Sequence, residues 1–162
     1  MLPSFDLHEG YDIRFLCDYI YFDSAWVGYE QFIPMMKDCS PLLLELGPED
    51  PGIFVTQSVH KQQAGFSMTS QVHKKDSHIK GQDRYVPHKR VNNAFMMHAS
   101  TSPLYQLFAA LDVNAKMHEG EAGKKLWVEA VKTVIETRKQ ILRNCHYIRP
   151  LVPPVVNGKK WE

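Results

Sequence analysis

A lysine, a histidine and a serine stand together in the run "VTQSVHKQQAGFS", residues 55–67. The segment enters on apolar, β-forming residues (Ile53, Phe54, Val55) and turns polar at Ser58, His60 and Lys61, with the small residues Ala64 and Gly65 behind them. Two further polar clusters share this placement at the end of an apolar element. Asp23-Ser-Ala-Trp26 closes the aromatic run "LCDYIYFDSAW", residues 16–26, and Ser100-Thr-Ser102-Pro103 precedes an apolar helical stretch. In open α/β sheets, ligands sit outside the carboxyl ends of the strands. A helix start offers free N–H groups and a favourable dipole to an anion such as phosphate. A lysine near a phosphate site, with a carboxylate on a neighbouring strand, suggests a phosphorylated aldehyde cofactor. The lysine can hold it as a Schiff base, and the aspartate can keep a pyridine nitrogen protonated so that the ring accepts electrons from a carbanion.

Each cluster also has a plainer reading. Asp23 can cap or pair locally, Lys61 can be a solvated surface lysine, and Ser102 with Pro103 can be an ordinary N-cap and first helical residue. Spacing alone leaves these alternatives open.

The elements that must position these residues follow from periodicity and turn chemistry. The pattern predicts strands over 16–26, about 53–58 and 67–73. A short helix over 28–38 is interrupted by Pro34, and "LGPEDPG" at 46–52 is a turn. Residues 91–99 form a helical turn or two. A helix from Pro103 to about Met117 is apolar nearly all round (Leu104, Leu107, Phe108, Ala110, Leu111, Ala115), which predicts a buried element. A long amphipathic helix over 121–145 gathers Trp127, Val131, Val134, Ile141 and Cys145 on one face, widened by Val128, Ile135 and Leu142. The Pro-rich tail is extended. Strands with polar ends interleaved with helices predict an α/β arrangement with a parallel sheet.

Composition narrows the class. With 162 residues, 44% hydrophobic and 23% charged, the chain has the balance of one globular domain. A net charge of +1 gives no general attraction to nucleic acid or anionic lipid. The three cysteines, Cys17, Cys39 and Cys145, form neither a disulfide framework nor a zinc pattern and read as reduced thiols. No apolar run approaches the roughly 18 residues of a membrane span, and the acidic N-terminus lacks a signal-peptide core. A cytoplasmic location is expected. Residues 74–90, "KKDSHIKGQDRYVPHKR", hold six Lys or Arg against two Asp and read as a surface excursion. A nucleic-acid-binding reading rests on that stretch and Tyr85, and the interleaved Asp76 and Asp83 stand against it. A metal site from His73, His78 and His88 is disfavoured by spacings of five and ten, which match no helical pair.

"VTQSVHKQQAGFSMTSQVHKKDSHIKGQ" resembles the pyridoxal-phosphate attachment segment of the prokaryotic ornithine/lysine/arginine decarboxylases. "YFDSAWVGYEQFIPMMKDCSPLLLELGPEDPG" upstream and "NNAFMMHASTSPLYQLFAALDVNAKMHEGEAG" downstream are similar to the same family. The resemblance implies the C-terminal half of an aspartate-aminotransferase-like large domain. It covers residues 16–150, with 1–15 matching poorly and 151–162 beginning a linker. It implies that Lys61 attaches the cofactor, that Asp23 pairs with the pyridine nitrogen, and that Ala25 packs on the ring with Trp26 near its phenolic oxygen. Ser58 and His60 would contact the phosphate or the attachment region, with His60 assisting Lys61 in catalysis. Ser100 falls where a partner subunit donates a phosphate ligand, so a homodimer or higher homo-oligomer is implied.

The implied reaction is α-decarboxylation of a small basic amino acid, ornithine by the wording of the attachment segment, giving putrescine. Met68 stands where the family signature expects glutamine, which predicts a looser loop near Lys61. Family members are several times longer. The resemblance therefore implies an internal segment that is inactive alone, or one that docks on full-length subunits through the surface around Ser100.

Overall fold

The computed structural model describes residues 17–100, 102–151, 155, 156 and 158–160. Segment 1–15, set apart in the sequence, lies outside the described residues. The fold is α/β, built on a three-stranded sheet in the order β1 (Tyr19–Asp23), β2 (Gly52–Gln57), β3 (Gln71–Lys75). β1 and β2 run parallel, with Tyr19 opposite Gly52 and Asp23 opposite Thr56. β2 and β3 run antiparallel, with Val55 opposite His73.

The antiparallel third strand corrects the all-parallel expectation. Only α1 (Val59–Gln62), a single turn of four residues, lies between β2 and β3. A parallel return needs a crossover of a dozen or more residues, usually built on a full helix. The connection here, residues 58–70, holds this one turn and loop, and β3 returns beside β2 in the opposite sense.

β2 is the spine of the core. Ile53 and Val55 are fully buried, together with Val59 of α1, Ile79 and Ile33. Gly52 is glycine because a Cβ there would enter the ring of Tyr19 on β1. The segment around Pro34 forms single 3₁₀ turns, Glu30–Phe32 and Lys37–Cys39, in place of the expected interrupted helix. Pro34 allows no longer helix across it.

Three helices follow: α2 (His88–His98), α3 (Tyr105–Met117) and α4 (Gly120–Asn144). α3 begins at Tyr105 with Leu104 as its N-cap and no side-chain cap bond, so Ser102 does not cap it. A cap of this kind contributes only about 1 kcal/mol, too little to fix a start in an exposed segment. Nor is α3 buried: Leu104, Phe108 and Val113 are each more than half exposed, and Ala110 and Asn114 are the helix's buried residues. An apolar helix is covered only where another element packs on it, and here that is one side. α4 packs through Trp127, whose indole stacks on Tyr29 at 4.6 Å, while Val134, Ile135 and Leu142 remain exposed. The tail forms a two-residue hairpin, β4 (Val155–Val156) against β5 (Lys159–Lys160). No helix among the described residues is long and apolar enough to cross a membrane.

The basic stretch is drawn onto the protein rather than splayed from it. Lys75 donates to the carbonyls of Leu42 (2.9 Å) and Leu44 (2.5 Å). Arg84 donates to the carbonyl of Pro48 at 2.6 Å, and Lys74 pairs with Asp76 while lying over the Tyr85 ring.

Candidate functional site

Parallel pairing sets the carboxyl ends of β1 and β2 side by side. The register ends with Asp23 against Thr56, and the Ser24 amide continues it by donating to the Thr56 carbonyl at 2.9 Å. From these two ends the chain releases Asp23-Ser-Ala-Trp26 on one side and Ser58 to Lys61 on the other.

Asp23 accepts the Ala25 amide on Oδ1 at 3.0 Å. Part of the plainer reading is therefore realised, as a local turn. The carboxylate is exposed, and Oδ2 has no hydrogen-bond partner among the described residues, which leaves one oxygen for a ligand. Trp26 is 64% exposed, and the Lys61 Nζ lies over its ring at 5.0 Å from the centroid, a cation–π arrangement. Lys61 makes no ion pair among the described residues. Ser58 is the N-cap of α1, yet its hydroxyl makes no cap bond, so it too is available.

Six of the residues singled out in the sequence are thus gathered by two neighbouring strand ends: Asp23, Ala25, Trp26, Ser58, His60 and Lys61. Ser100 is exposed, in the connection between α2 and α3. No hydrogen bond joins it to the cluster among the described residues.

His60 is committed to the protein. Its Nδ1 lies 2.7 Å from the Thr69 carbonyl oxygen, and its backbone amide donates to the same oxygen at 3.3 Å. Thr69 is buried and is itself tied to the Phe66 carbonyl through both its amide (2.8 Å) and its hydroxyl (2.5 Å). Gly65 fits beneath because a Cβ there would strike the Thr69 side chain and Val59. Met68 is 76% exposed. The loop grips His60 through the main chain of Thr69, a contact that the side chain at 68 does not supply.

Two supports, Gln57 and Asn114, were not singled out in the sequence. Gln57, buried at the end of β2, accepts from Gln71 Nε2 at 2.9 Å and lies 3.1 Å from His73 Nε2. His73 is held below the ordinary histidine range by burial. Asn114 of α3 accepts the Ala64 amide on Oδ1 at 3.0 Å and donates Nδ2 to Gln63 Oε1 at 2.9 Å. The available signal was Asn114 itself, a polar residue one helical turn from Ala110 in an apolar helix. His78, one of the histidines whose spacing disfavours a metal site, lies within 3.2 Å of the carbonyls of Asp50 and Pro51.

The donor set suits a phosphorylated pyridine aldehyde. It offers one amine without an ion pair, one carboxylate oxygen open to an N–H, an uncapped hydroxyl and an exposed indole, all at adjoining strand ends.

Comparison with known proteins gives this arrangement a family. The chain is 73% identical over 150 residues to the inducible ornithine decarboxylase of Escherichia coli (strain K12), covering 93% of this chain and 20% of that one. It is 39% identical over 126 residues to a lysine decarboxylase of Hafnia alvei, covering 76% of this chain and 16% of that one. The crystal structure of the Francisella novicida lysine decarboxylase LdcF superposes with a TM-score of 0.69 at 33% identity, over 86% of this chain and 19% of that one. The chain thus spans about a fifth of the length of these relatives. Residues 10–162 match the family model described as "Orn/Lys/Arg decarboxylase, major domain". With its strand ends and its sequence in agreement, the chain belongs to the Orn/Lys/Arg decarboxylase family.

Proposed function

We propose that this chain provides the lysine-bearing part of a pyridoxal-phosphate-dependent decarboxylase that converts ornithine to putrescine in the cytoplasm. The observation that carries the proposal is the convergence of Lys61, Asp23, Ser58 and Trp26 at two parallel strand ends. Ornithine is favoured over lysine because identity is 73% to an ornithine enzyme against 39% to a lysine enzyme.

Pyridoxal phosphate, when bound, supplies an aldehyde that condenses with an amine and a ring that takes up the electron pair left as carbon dioxide departs. The residues here have separable tasks. Lys61 would offer its amine for attachment and could hold or move a proton at its Nζ. The open oxygen of Asp23 accepts a pyridinium N–H and holds that proton in place. Ala25 and Trp26 exclude water from one side, and Ser58 offers a hydroxyl to the phosphate or to the groups around Lys61. His60 orients the turn that bears Lys61 through its bonds to Thr69. Ser100, exposed beyond α2, suits donation to a second subunit's phosphate in a homodimer or larger homo-oligomer.

The chain covers a fifth of its relatives' length, so catalysis is proposed for the whole protein and cofactor attachment for this part. The test is to incubate the purified chain with pyridoxal phosphate, reduce with borohydride and map the modified lysine by mass spectrometry. A label concentrated on Lys61, absent from Lys61→Ala, is the expected result. Labels spread over the surface lysines would overturn the proposal.

A further inference from the structure

We infer that Asn114 is a positioning residue for the attachment lysine, holding the backbone of the turn that bears Lys61 from the far side of the α3 contact. This inference rests on the cofactor reading above and adds a residue to it.

α1 is one turn of helix, Val59–Gln62. A single turn fixes several backbone angles for very few hydrogen bonds and does not persist unaided. The orientation of Lys61 is therefore set by whatever grips the turn at its two ends. The front is gripped by Thr69, through the two contacts to His60. The rear is gripped by Asn114, whose side-chain amide uses both its ends on consecutive residues, accepting from Ala64 N and donating to Gln63 Oε1. Lys61 lies between these clamps, two residues from the nearer of Asn114's contacts.

Burial argues that the amide is there for this purpose. Asn114 is 5% exposed and, with Ala110, is one of the two buried residues of α3. Asparagine is a poorer helix former than leucine, and burying its amide is costly unless it is hydrogen-bonded. Here both ends are bonded, and both bonds go to the two residues that follow the Lys61 turn, its C-cap Gln63 and Ala64. The anchor is itself held, because the Asn114 carbonyl lies 2.8 Å from His118 Nδ1. The His118 ring packs against Phe32 at 5.0 Å and Trp127 at 5.9 Å. α3 and α4 thereby transmit their position to Lys61 through one amide.

The test compares Asn114→Leu, which keeps the branched shape in a larger side chain without either bond, with Asn114→Asp, which keeps an acceptor for Ala64 and can accept from a rotated Gln63 amide. Two readouts are taken on the full chain: the pyridoxal phosphate concentration that half-saturates borohydride-trapped label on Lys61, and the hydrogen-exchange rate of the Ala64 amide. Asn114→Leu is expected to raise the half-saturating concentration and to speed exchange, each about tenfold for two lost buried bonds, with Asn114→Asp recovering most of both. A folded Asn114→Leu that labels Lys61 like the unaltered chain would overturn the inference. If Asn114→Leu does not fold, Gln63→Met removes one of the two bonds. It is expected to raise the half-saturating concentration by a few-fold, and no change would count against the clamp. Failure of the unaltered chain to label Lys61 would sink the cofactor reading, and the Ala64 exchange rates would still decide whether Asn114 holds the turn.

Discussion

His60 and Thr69 meet twice at one atom: the ring Nδ1 and the backbone amide of His60 both point at the Thr69 carbonyl oxygen, at 2.7 and 3.3 Å. The ring contact is the part that a side-chain change can remove. His60→Phe keeps an aromatic ring and loses the bond, leaving the backbone amide as the hydrogen bond between α1 and residues 66–70 among the described residues. The expected cost is about 1 kcal/mol, read as a lower urea midpoint. Faster amide exchange should be confined to residues 60–69. A midpoint equal to that of the unaltered chain would mean that the ring bond contributes nothing to the loop.

Gly28 offers a sharper contrast. It is buried with φ +123°, and a Cβ there would come within 2.5 Å of Gln63 Nε2 and 2.9 Å of the Gln57 amide. Gly81 has φ +95° and nothing within 4 Å. Both glycines share the backbone strain of a side chain at positive φ, of order 1 kcal/mol. Only Gly28→Ala adds a collision beneath the candidate site. The atoms met are the ends of glutamine side chains that can shift aside, so Gly28→Ala is expected to cost up to about 1 kcal/mol more than Gly81→Ala, and to impair attachment at Lys61 where Gly81→Ala does not. Equal losses in thermal stability would refute the steric argument.

Much of the site could be read from the chain because its residues close local elements. An apolar run that ends on Asp23, and another that ends on Ser58, His60 and Lys61, mark strand ends by composition alone, and the structure sets those ends together. The supports behind them could not be read this way. Asn114 is fifty residues from Ala64, and nothing in either segment names the other. Thr69 acts through a carbonyl, which every residue possesses. The direction of β3 could not be read from the chain, because the thirteen residues that join it to β2 are long enough for either sense. The burial of α3 was misjudged because an all-apolar pattern shows what a helix would bury, not what is there to cover it.

Stability should fall in mild acid because of His73. Burial lowers its pKa from the ordinary value near 6.5, and its Nε2 faces Gln57 Oε1 at 3.1 Å. The unfolded chain takes up a proton at this position below about pH 6.5, and the folded chain resists doing so. The contribution is therefore fully present above pH 6.5 and is lost as pH falls through the lowered folded value. Urea midpoints at pH 8 and pH 5 should differ in that direction, and His73→Gln should reduce the difference. An unchanged difference in His73→Gln would assign the acid loss to other groups.

At the alkaline end the same reasoning applies with the opposite sign to Tyr19. Its hydroxyl donates to Asp76 Oδ2 at 2.7 Å and accepts the Val86 amide at 2.9 Å. Burial is the main reason its pKa rises to about 12; the Val86 amide favours the ionised form, whereas Asp76 disfavours it by hydrogen bond and charge. A raised folded value means that the contribution is whole below the unfolded pKa near 10 and disappears as pH climbs from 10 toward 12. Absorbance at the phenolate band should then show one of the seven tyrosines titrating about two units late. Tyr19→Phe should abolish that late step and, by losing both bonds, cost about 1–2 kcal/mol at neutral pH. A late step that survives Tyr19→Phe would belong to another tyrosine. The bridge that the Tyr19 hydroxyl makes to Asp76 and Val86 would then lose its claim on alkaline stability.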